Sequence, residues 1–116
     1  MATFAPAVVA STAKPWLKCF PEESIHVEMP RQTIYTALTR TVAKHPTSYA
    51  LYYYGTRLTY CELLSRIDCL AAAFYGMGVR EGDMVSCLMP TTPESICSMY
   101  ALNKLGAVPN FIDPRM

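Results

Sequence analysis

Apolar side chains recur every three or four positions in three stretches of this chain, which is the period of a helix with one buried face. The pattern predicts three helices: the first covers residues 34–44 after the cap Thr33, the second runs from the cap Thr59 to the glycines at 76 and 78, and the third runs from the cap Thr92 to Gly106. A threonine stands at the start of each stretch, where its hydroxyl can accept a hydrogen bond from a first-turn amide. The three helices are therefore expected to begin and end at sharply defined positions.

The second helix has the clearest start signal. Thr59 and Glu62 have the spacing of a capping box, in which the hydroxyl accepts from the Glu62 amide while the carboxylate reaches back to the cap. Leu58 and Leu63 occupy the positions of a hydrophobic staple. We therefore assign Glu62 to helix capping and not to general-base chemistry.

Short apolar or aromatic runs between the helices predict strands. Residues 49–54, with a return that begins at Arg57 after a Gly55-Thr56 turn, form a hairpin, and residues 84–89 and 108–112 form two further strands. Strands that alternate with helices imply parallel pairing with right-handed crossovers. The predicted fold is α/β: a partial layered domain with parallel strands and right-handed βαβ crossovers plus a short N-terminal hairpin.

Domain organisation follows from a change in pattern near residue 30. Residues 1–30 hold four of the nine prolines and show no sustained periodicity, so an irregular lead-in is expected there. Residues 31–116 then form the first part of a larger domain. Strands 84–89 and 108–112 have the composition of strands that are buried on both faces in a complete domain. The partial domain formed by residues 31–116 is therefore expected to leave a sheet edge and some apolar face uncovered.

Composition narrows the function classes. The 116 residues are 52% hydrophobic and 16% charged with a net charge of +1, which is globular and offers no basic patch for nucleic acid. No apolar run reaches the length of a transmembrane span. The five cysteines are odd in number and without C-x-x-C spacing, so we expect reduced, mostly buried thiols in a cytoplasmic protein, with Cys61 and Cys69 as core thiols and with no metal site.

Five sequence motifs resemble those of one enzyme superfamily. Residues 58–63 match the pattern L-T-Y-x-E-L and residues 102–108 match L-x-x-L-G-A-V, while residues 78–83, 89–94 and 113–115 resemble G-V-x-x-G-D, L-P-N-x-P-E and N-P-x-Y. Their order is that of the AMP-forming acyl-activating enzymes, which include acyl-CoA synthetases, peptide-synthetase adenylation domains and firefly luciferase. The lead-in Pro15-Trp16-Leu17-Lys18 resembles fatty acyl-CoA ligases in particular. The chain is thus similar to the N-terminal part of a long-chain-fatty-acid–CoA ligase.

The resemblance implies a two-step reaction in the parent enzyme. A small carboxylic acid attacks ATP, with magnesium bound, to give an acyl-adenylate, and CoA then takes the acyl group as a thioester. In this superfamily a T-S-G-T-T-G-x-P-K loop holds the phosphates, and the present sequence does not contain it. We therefore assign no catalytic residue and expect the 116-residue chain alone to be inactive and to bind ATP, magnesium and CoA poorly.

One loop is retained as a candidate cofactor-binding site. Asp113, Pro114 and Arg115 follow a predicted parallel strand, and ligands of open α/β sheets bind beyond the carboxyl ends of such strands. In related acyl-CoA synthetases the matching loop lies near the point where CoA enters. Arg115 could contact a phosphate or remain in solvent, and Asp113 departs from the asparagine that is commoner in the superfamily.

Two other functions remain open from the sequence. The chain could belong to a peptide-synthetase adenylation domain, in which a carrier-protein thiol replaces CoA. It could also be a complete small α/β protein that binds a partner and catalyses nothing. An uncovered sheet edge further predicts self-association of the fragment.

Overall fold

A computed structural model describes residues 14–28 and 30–115, and the chain divides into two compact units, one ending at Arg31 and the other beginning at Gln32. The first unit contains a 3₁₀ helix, Pro15–Cys19, and a one-turn helix α1, Glu22–Ile25. The prediction of a wholly irregular lead-in was therefore wrong for this part, while residues 1–13 lie outside the described residues. Proline at the first position and two acidic residues in the first turn favour these short helices.

The second unit contains three longer helices and four strands. They are α2 Ile34–Lys44, β1 Tyr49–Tyr53, β2 Thr56–Thr59, α3 Tyr60–Gly76, β3 Met84–Leu88, α4 Pro93–Lys104 and β4 Val108–Ile112. Strands β1 and β2 pair antiparallel, and β3 and β4 pair parallel with α4 between them in sequence. The predicted α/β class, the element order and the parallel pair are confirmed.

The hairpin turn lies one residue earlier than predicted. Tyr54 and Gly55 both have positive φ, 44° and 85°, and Tyr53 pairs with Thr56 across the turn. Two such residues form a two-residue hairpin loop whose twist matches that of the strands. Tyr54 therefore belongs to the turn and not to the strand, and Thr56 already belongs to β2.

Helices α3 and α4 end in the same motif. After α3, Gly78 has φ of 101°, and the Val79 amide donates to the Phe74 carbonyl at 3.0 Å. After α4, Gly106 has φ of 73°, and the Ala107 amide donates to the Leu102 carbonyl at 3.0 Å. This is the Schellman arrangement, in which glycine adopts the left-handed conformation without a Cβ penalty. The glycines therefore end the helices as predicted.

The main core lies where the three long helices meet. Its buried members are Leu38 and Val42 of α2, Leu63, Ile67 and Ala71 of α3, and Cys97 and Ala101 of α4. A second cluster, formed by Cys87, Leu102 and Ala107, joins β3 to α4.

The expectation of mostly buried cysteines was wrong. Cys19, Cys61 and Cys69 are exposed, and only Cys87 and Cys97 are buried. Cys61 and Cys69 each lie two residues from the buried stripe of α3, a rotation of roughly 200° around the helix axis. Both thiols therefore point away from the core face on which the sequence interpretation had placed them.

Within residues 14–28 and 30–115, only one face of the parallel pair is covered. Val85 and Cys87 pack toward Phe74 and Leu102, whereas Met84 and Leu88, which project to the other face, are 74% and 65% exposed. The uncovered apolar face that the sequence predicted is thus present.

Candidate functional site

A groove lies beyond the carboxyl ends of the two parallel strands. Its volume is about 350 Å³, and its walls come from residues 89–91 after β3, from residues 111–113 at the end of β4, and from Ser95, Ile96 and Met99 of α4. Parallel pairing puts both strand ends at one edge of the sheet, so residues that are 20 to 24 positions apart in sequence meet there. The groove therefore has the location at which open α/β sheets bind ligands.

The amino end of α4 forms one side of this groove and is held by a capping box. The Thr92 amide donates to Ser95 Oγ at 3.0 Å, the Ser95 amide donates to Thr92 Oγ1 at 3.4 Å, and Ser95 Oγ donates to the Thr92 carbonyl at 2.8 Å. The sequence had indicated Thr92 as a cap but not Ser95 as its partner. Because Ser95 is buried and fully occupied in these bonds, it stabilises the helix start and is not a nucleophile.

The structure brings one of the three predicted loop residues into the groove wall. Asp113 lines the groove, whereas Pro114 and Arg115 are exposed beyond it. Arg115 turns back on Asp113, and its Nη2 and Nε donate to the two carboxylate oxygens at 2.7 and 3.0 Å. These hydrogen bonds hold the pKa of Asp113 below its usual value and raise that of Arg115.

This pairing limits the chemistry of the loop. The Arg115 guanidinium already has a carboxylate partner, and the Asp113 carboxylate carries a negative charge toward the groove. A phosphate placed there would meet that charge and would have to displace the arginine from its partner. Because this ion pair is largely exposed, it biases the groove toward uncharged ligand segments without excluding a phosphate.

A larger groove, which the sequence interpretation missed, runs along the surface where α3 and α4 meet. Its volume is about 500 Å³, and its lining includes Arg66, Cys69 and Leu70 of α3 with Glu94 and Cys97 of α4. Burial raises the pKa of the Cys97 thiol, so this side chain stays protonated and weakly nucleophilic near neutral pH. The sequence does contain one signal for this groove, because small residues recur every four positions along α3, at Ser65, Cys69 and Ala73.

The described residues contain no metal-ligand cluster of three or more His, Cys, Asp or Glu side chains. Among the helices of residues 14–28 and 30–115, none is long and apolar enough to cross a membrane.

Comparison with known proteins identifies the class. Residues 38–116 match the AMP-binding enzyme family, and this chain belongs to that family. It is 31% identical over 96 residues to a long-chain-fatty-acid–CoA ligase of Bacillus subtilis. The aligned region covers 82% of this chain and 17% of the Bacillus protein. The chain thus spans about a sixth of the length of this relative.

Solved structures give the same class. A fatty acyl CoA synthetase of Mycobacterium tuberculosis superposes with a TM-score of 0.69 at 29% identity, covering 72% of this chain and 17% of that one. An artificially fused adenylation-PCP di-domain NRPS of Klebsiella oxytoca, NpsA-ThdA, superposes with a TM-score of 0.69 at 26% identity, covering 72% and 16%. The resemblance inferred from the five motifs is confirmed, and the fold is that of one part of an adenylate-forming domain.

Proposed function

We propose that this chain forms the first part of the catalytic domain of an ATP-dependent acid–CoA ligase. The enzyme joins a carboxylate to ATP, releases pyrophosphate, and transfers the acyl group from the adenylate to the CoA thiol. The observation that carries this proposal is the 31% identity to a long-chain-fatty-acid–CoA ligase across 82% of the chain, which extends beyond the residues matched by the family as a whole.

The parent enzyme uses ATP, magnesium and CoA, and a small carboxylic acid is its substrate. The 116 residues contribute groove walls and helix ends, and the phosphate-binding groups come from other parts of the enzyme. We place the enzyme in the cytoplasm, where ATP and CoA are available. The free state of all five cysteines supports this location.

The groove at the carboxyl ends of β3 and β4 has a proposed role in CoA binding. Its walls are mainly apolar, and Asp113 disfavours phosphate, so the pantetheine arm of CoA fits it better than the nucleotide end does. In the enzyme that contains this chain, Asp113→Asn is expected to change the KM for CoA several-fold and to leave acid-dependent pyrophosphate exchange unaltered. Arg40→Ala, a change at an exposed position of α2, serves as the control. An unchanged KM for CoA would remove the loop from the proposal.

The proposal is tested by reading the encoding nucleotides past codon 116 and assaying the product. A reading frame that continues through a Gly/Ser/Thr-rich phosphate loop, with formation of acyl-CoA from a panel of carboxylates, is the expected result. Acyl transfer to a carrier-protein thiol but not to CoA would favour the second candidate, an adenylation domain. The superposition on the Klebsiella di-domain supports that candidate. A stop codon directly after Met116 would favour a small interaction protein.

A further inference from the structure

Helix α2 is attached to the core by fewer buried side chains than the other two long helices. It contributes two buried residues, Leu38 and Val42, whereas α3 contributes three and α4 contributes five. These two are also the most exposed of the seven members of the main core, at 7% and 8% against 0–5% for the others. Packing therefore holds α2 less firmly than it holds α3 and α4.

Tyr35 supplies the hydrogen bonds that join α2 to other elements within the described residues. Its amide donates to Asn103 Oδ1 of α4 at 3.0 Å, and its hydroxyl donates to Asp68 Oδ1 of α3 at 2.8 Å. Lys104 Nζ lies 5.0 Å from the centre of the Tyr35 ring. We call these three interactions the Tyr35 contacts. They hold the first turn of α2, and Leu38 and Val42 hold the rest.

The sequence of α2 does not sustain a helix without this support. Five of its eleven residues are β-branched, and β-branched side chains lose rotamer freedom in a helix. The Thr41 hydroxyl donates to the Ala37 carbonyl at 3.1 Å, a bond that slightly destabilises a helix. Isolated helices shorter than about 12 residues are marginal in water. Once it leaves α3 and α4, α2 is therefore expected to unravel.

The segment after α2 is attached independently of the helix. His45 ends α2 just before Pro46, and the Pro46 carbonyl accepts a hydrogen bond from the Cys61 amide at 3.0 Å. The Ser48 carbonyl accepts another from the Tyr60 amide at 3.0 Å. Both bonds connect residues 46–48 to the start of α3. Helix α2 can therefore open as far as His45 while the hairpin and α3 keep their hydrogen bonds.

We propose that α2 opens and closes as one unit on α3 and α4 while residues 46–115 stay folded. Segments with few buried apolar contacts have the lowest opening free energies in a protein, and such segments open cooperatively. The Tyr35 contacts set the population of the open form, because they are the polar interactions that opening breaks. Opening removes Leu38 and Val42 from the main core and so uncovers apolar side chains of α3 and α4.

Native-state hydrogen exchange of the 116-residue chain, followed by NMR in urea below the unfolding transition, tests the proposal. The amides of residues 38–44 are expected to share one exchange free energy, lower than that of the Ile67 and Ala71 amides in the middle of α3. Their exchange should depend only weakly on urea, because opening exposes little surface compared with complete unfolding.

Three variants separate opening of α2 from unfolding of the whole chain. Tyr35→Phe removes one hydrogen bond and should speed exchange of the α2 amides about fivefold, whereas Tyr52→Phe, on a hairpin side chain that is 69% exposed, should not. Gly82→Ala adds left-handed strain in the turn before β3, whether α2 is docked or open. It should speed exchange in the middle of α3 and leave the α2 amides unaltered. Circular dichroism verifies folding, and Asn103→Ala replaces Tyr35→Phe should that variant unfold.

Three results would overturn the proposal. Equal exchange free energies in α2 and in the middle of α3 would mean that α2 opens only when the whole chain unfolds. Rates that fall steadily from the ends of α2 toward its middle would indicate fraying and not a single unit. Unchanged α2 exchange in both Tyr35→Phe and Asn103→Ala would mean that the Tyr35 contacts do not hold the helix.

Discussion

At the scale of single residues, capping hydrogen bonds decide where the helices begin. The Thr59 amide and hydroxyl both donate to Glu62 Oε2, at 2.8 and 2.9 Å, and the Glu62 amide donates to Thr59 Oγ1 at 3.3 Å. The bond from the Thr59 amide is the main reason that the pKa of Glu62 lies below its usual value. The carboxylate is thus committed to the helix start, which agrees with the structural role assigned from the sequence.

Thr59→Ala is expected to destabilise the chain by about 1 kcal/mol, because it removes the acceptor for the Glu62 amide and one donor to the carboxylate. Thermal unfolding followed by circular dichroism measures the change. Thr59→Ser keeps the hydroxyl and is the matched control, with a melting temperature close to that of the parent. Equal melting of the alanine variant and the parent would contradict the role of this box.

At the scale of elements, a polar cluster joins the three long helices. Tyr35 of α2 donates its hydroxyl to Asp68 Oδ1 of α3 at 2.8 Å, and Lys104 of α4 donates to the same oxygen at 2.8 Å. The Lys104 ammonium also lies 5.0 Å from the centre of the Tyr35 ring. The hydrogen bond to Asp68 is the main cause of the raised pKa of Lys104. Because the ion pair is about 40% exposed, we expect most of the stabilisation to come from the part-buried tyrosine hydroxyl.

Tyr35→Phe tests this cluster, because it removes the hydroxyl and keeps the ring beneath Lys104. The free energy of unfolding is expected to fall by about 1 kcal/mol, the usual net contribution of one hydrogen bond, or by somewhat more, because a hydrogen bond to a charged acceptor contributes more than a neutral one. Tyr52→Phe makes the same chemical change on a hairpin side chain that is 69% exposed, and it should leave stability unchanged. Urea unfolding of the two variants gives the comparison, and equal midpoints would mean that the cluster does not stabilise the helix packing.

The glycine after α4 provides a second prediction at this scale. Gly106 has φ of +73°, and a Cβ there would lie 2.9 Å from Glu81 Cγ, whereas Gly82 has φ of +84° with open space around it. Alanine at either position is expected to cost about 1–2 kcal/mol of left-handed strain, and Gly106→Ala should cost more because Glu81 must also move. Gly76→Ala lies in α3 with nothing within 4 Å and should be neutral or stabilising. Chemical denaturation ranks the three variants, and a different order would contradict this account.

At the scale of the whole molecule, the proposed function makes the chain a scaffold for a site that other residues complete. It spans 17% of the length of its Bacillus relative, and its groove carries a paired carboxylate and no phosphate-binding loop. Adenylation needs groups that stabilise the charge developing on the transferred phosphate, and the described residues place none there. The purified 116-residue chain should therefore show no carboxylate-dependent ATP–pyrophosphate exchange above a protein-free blank. Exchange that follows the concentration of the chain would show that catalytic groups were overlooked.

The sequence by itself determined the three long helices, their ends, the presence of the hairpin and the family. These features depend on neighbouring residues: the Thr59–Glu62 box spans four positions, and the terminal glycines act on the turn just before them. Only the tertiary structure decided which distant groups meet. Tyr35 and Asp68, 33 positions apart, share a hydrogen bond, and the two grooves are formed by elements that local spacing does not bring together. It also decided that Arg115 pairs with Asp113, because an exposed arginine has many rotamers of similar energy and only the folded loop favours one of them.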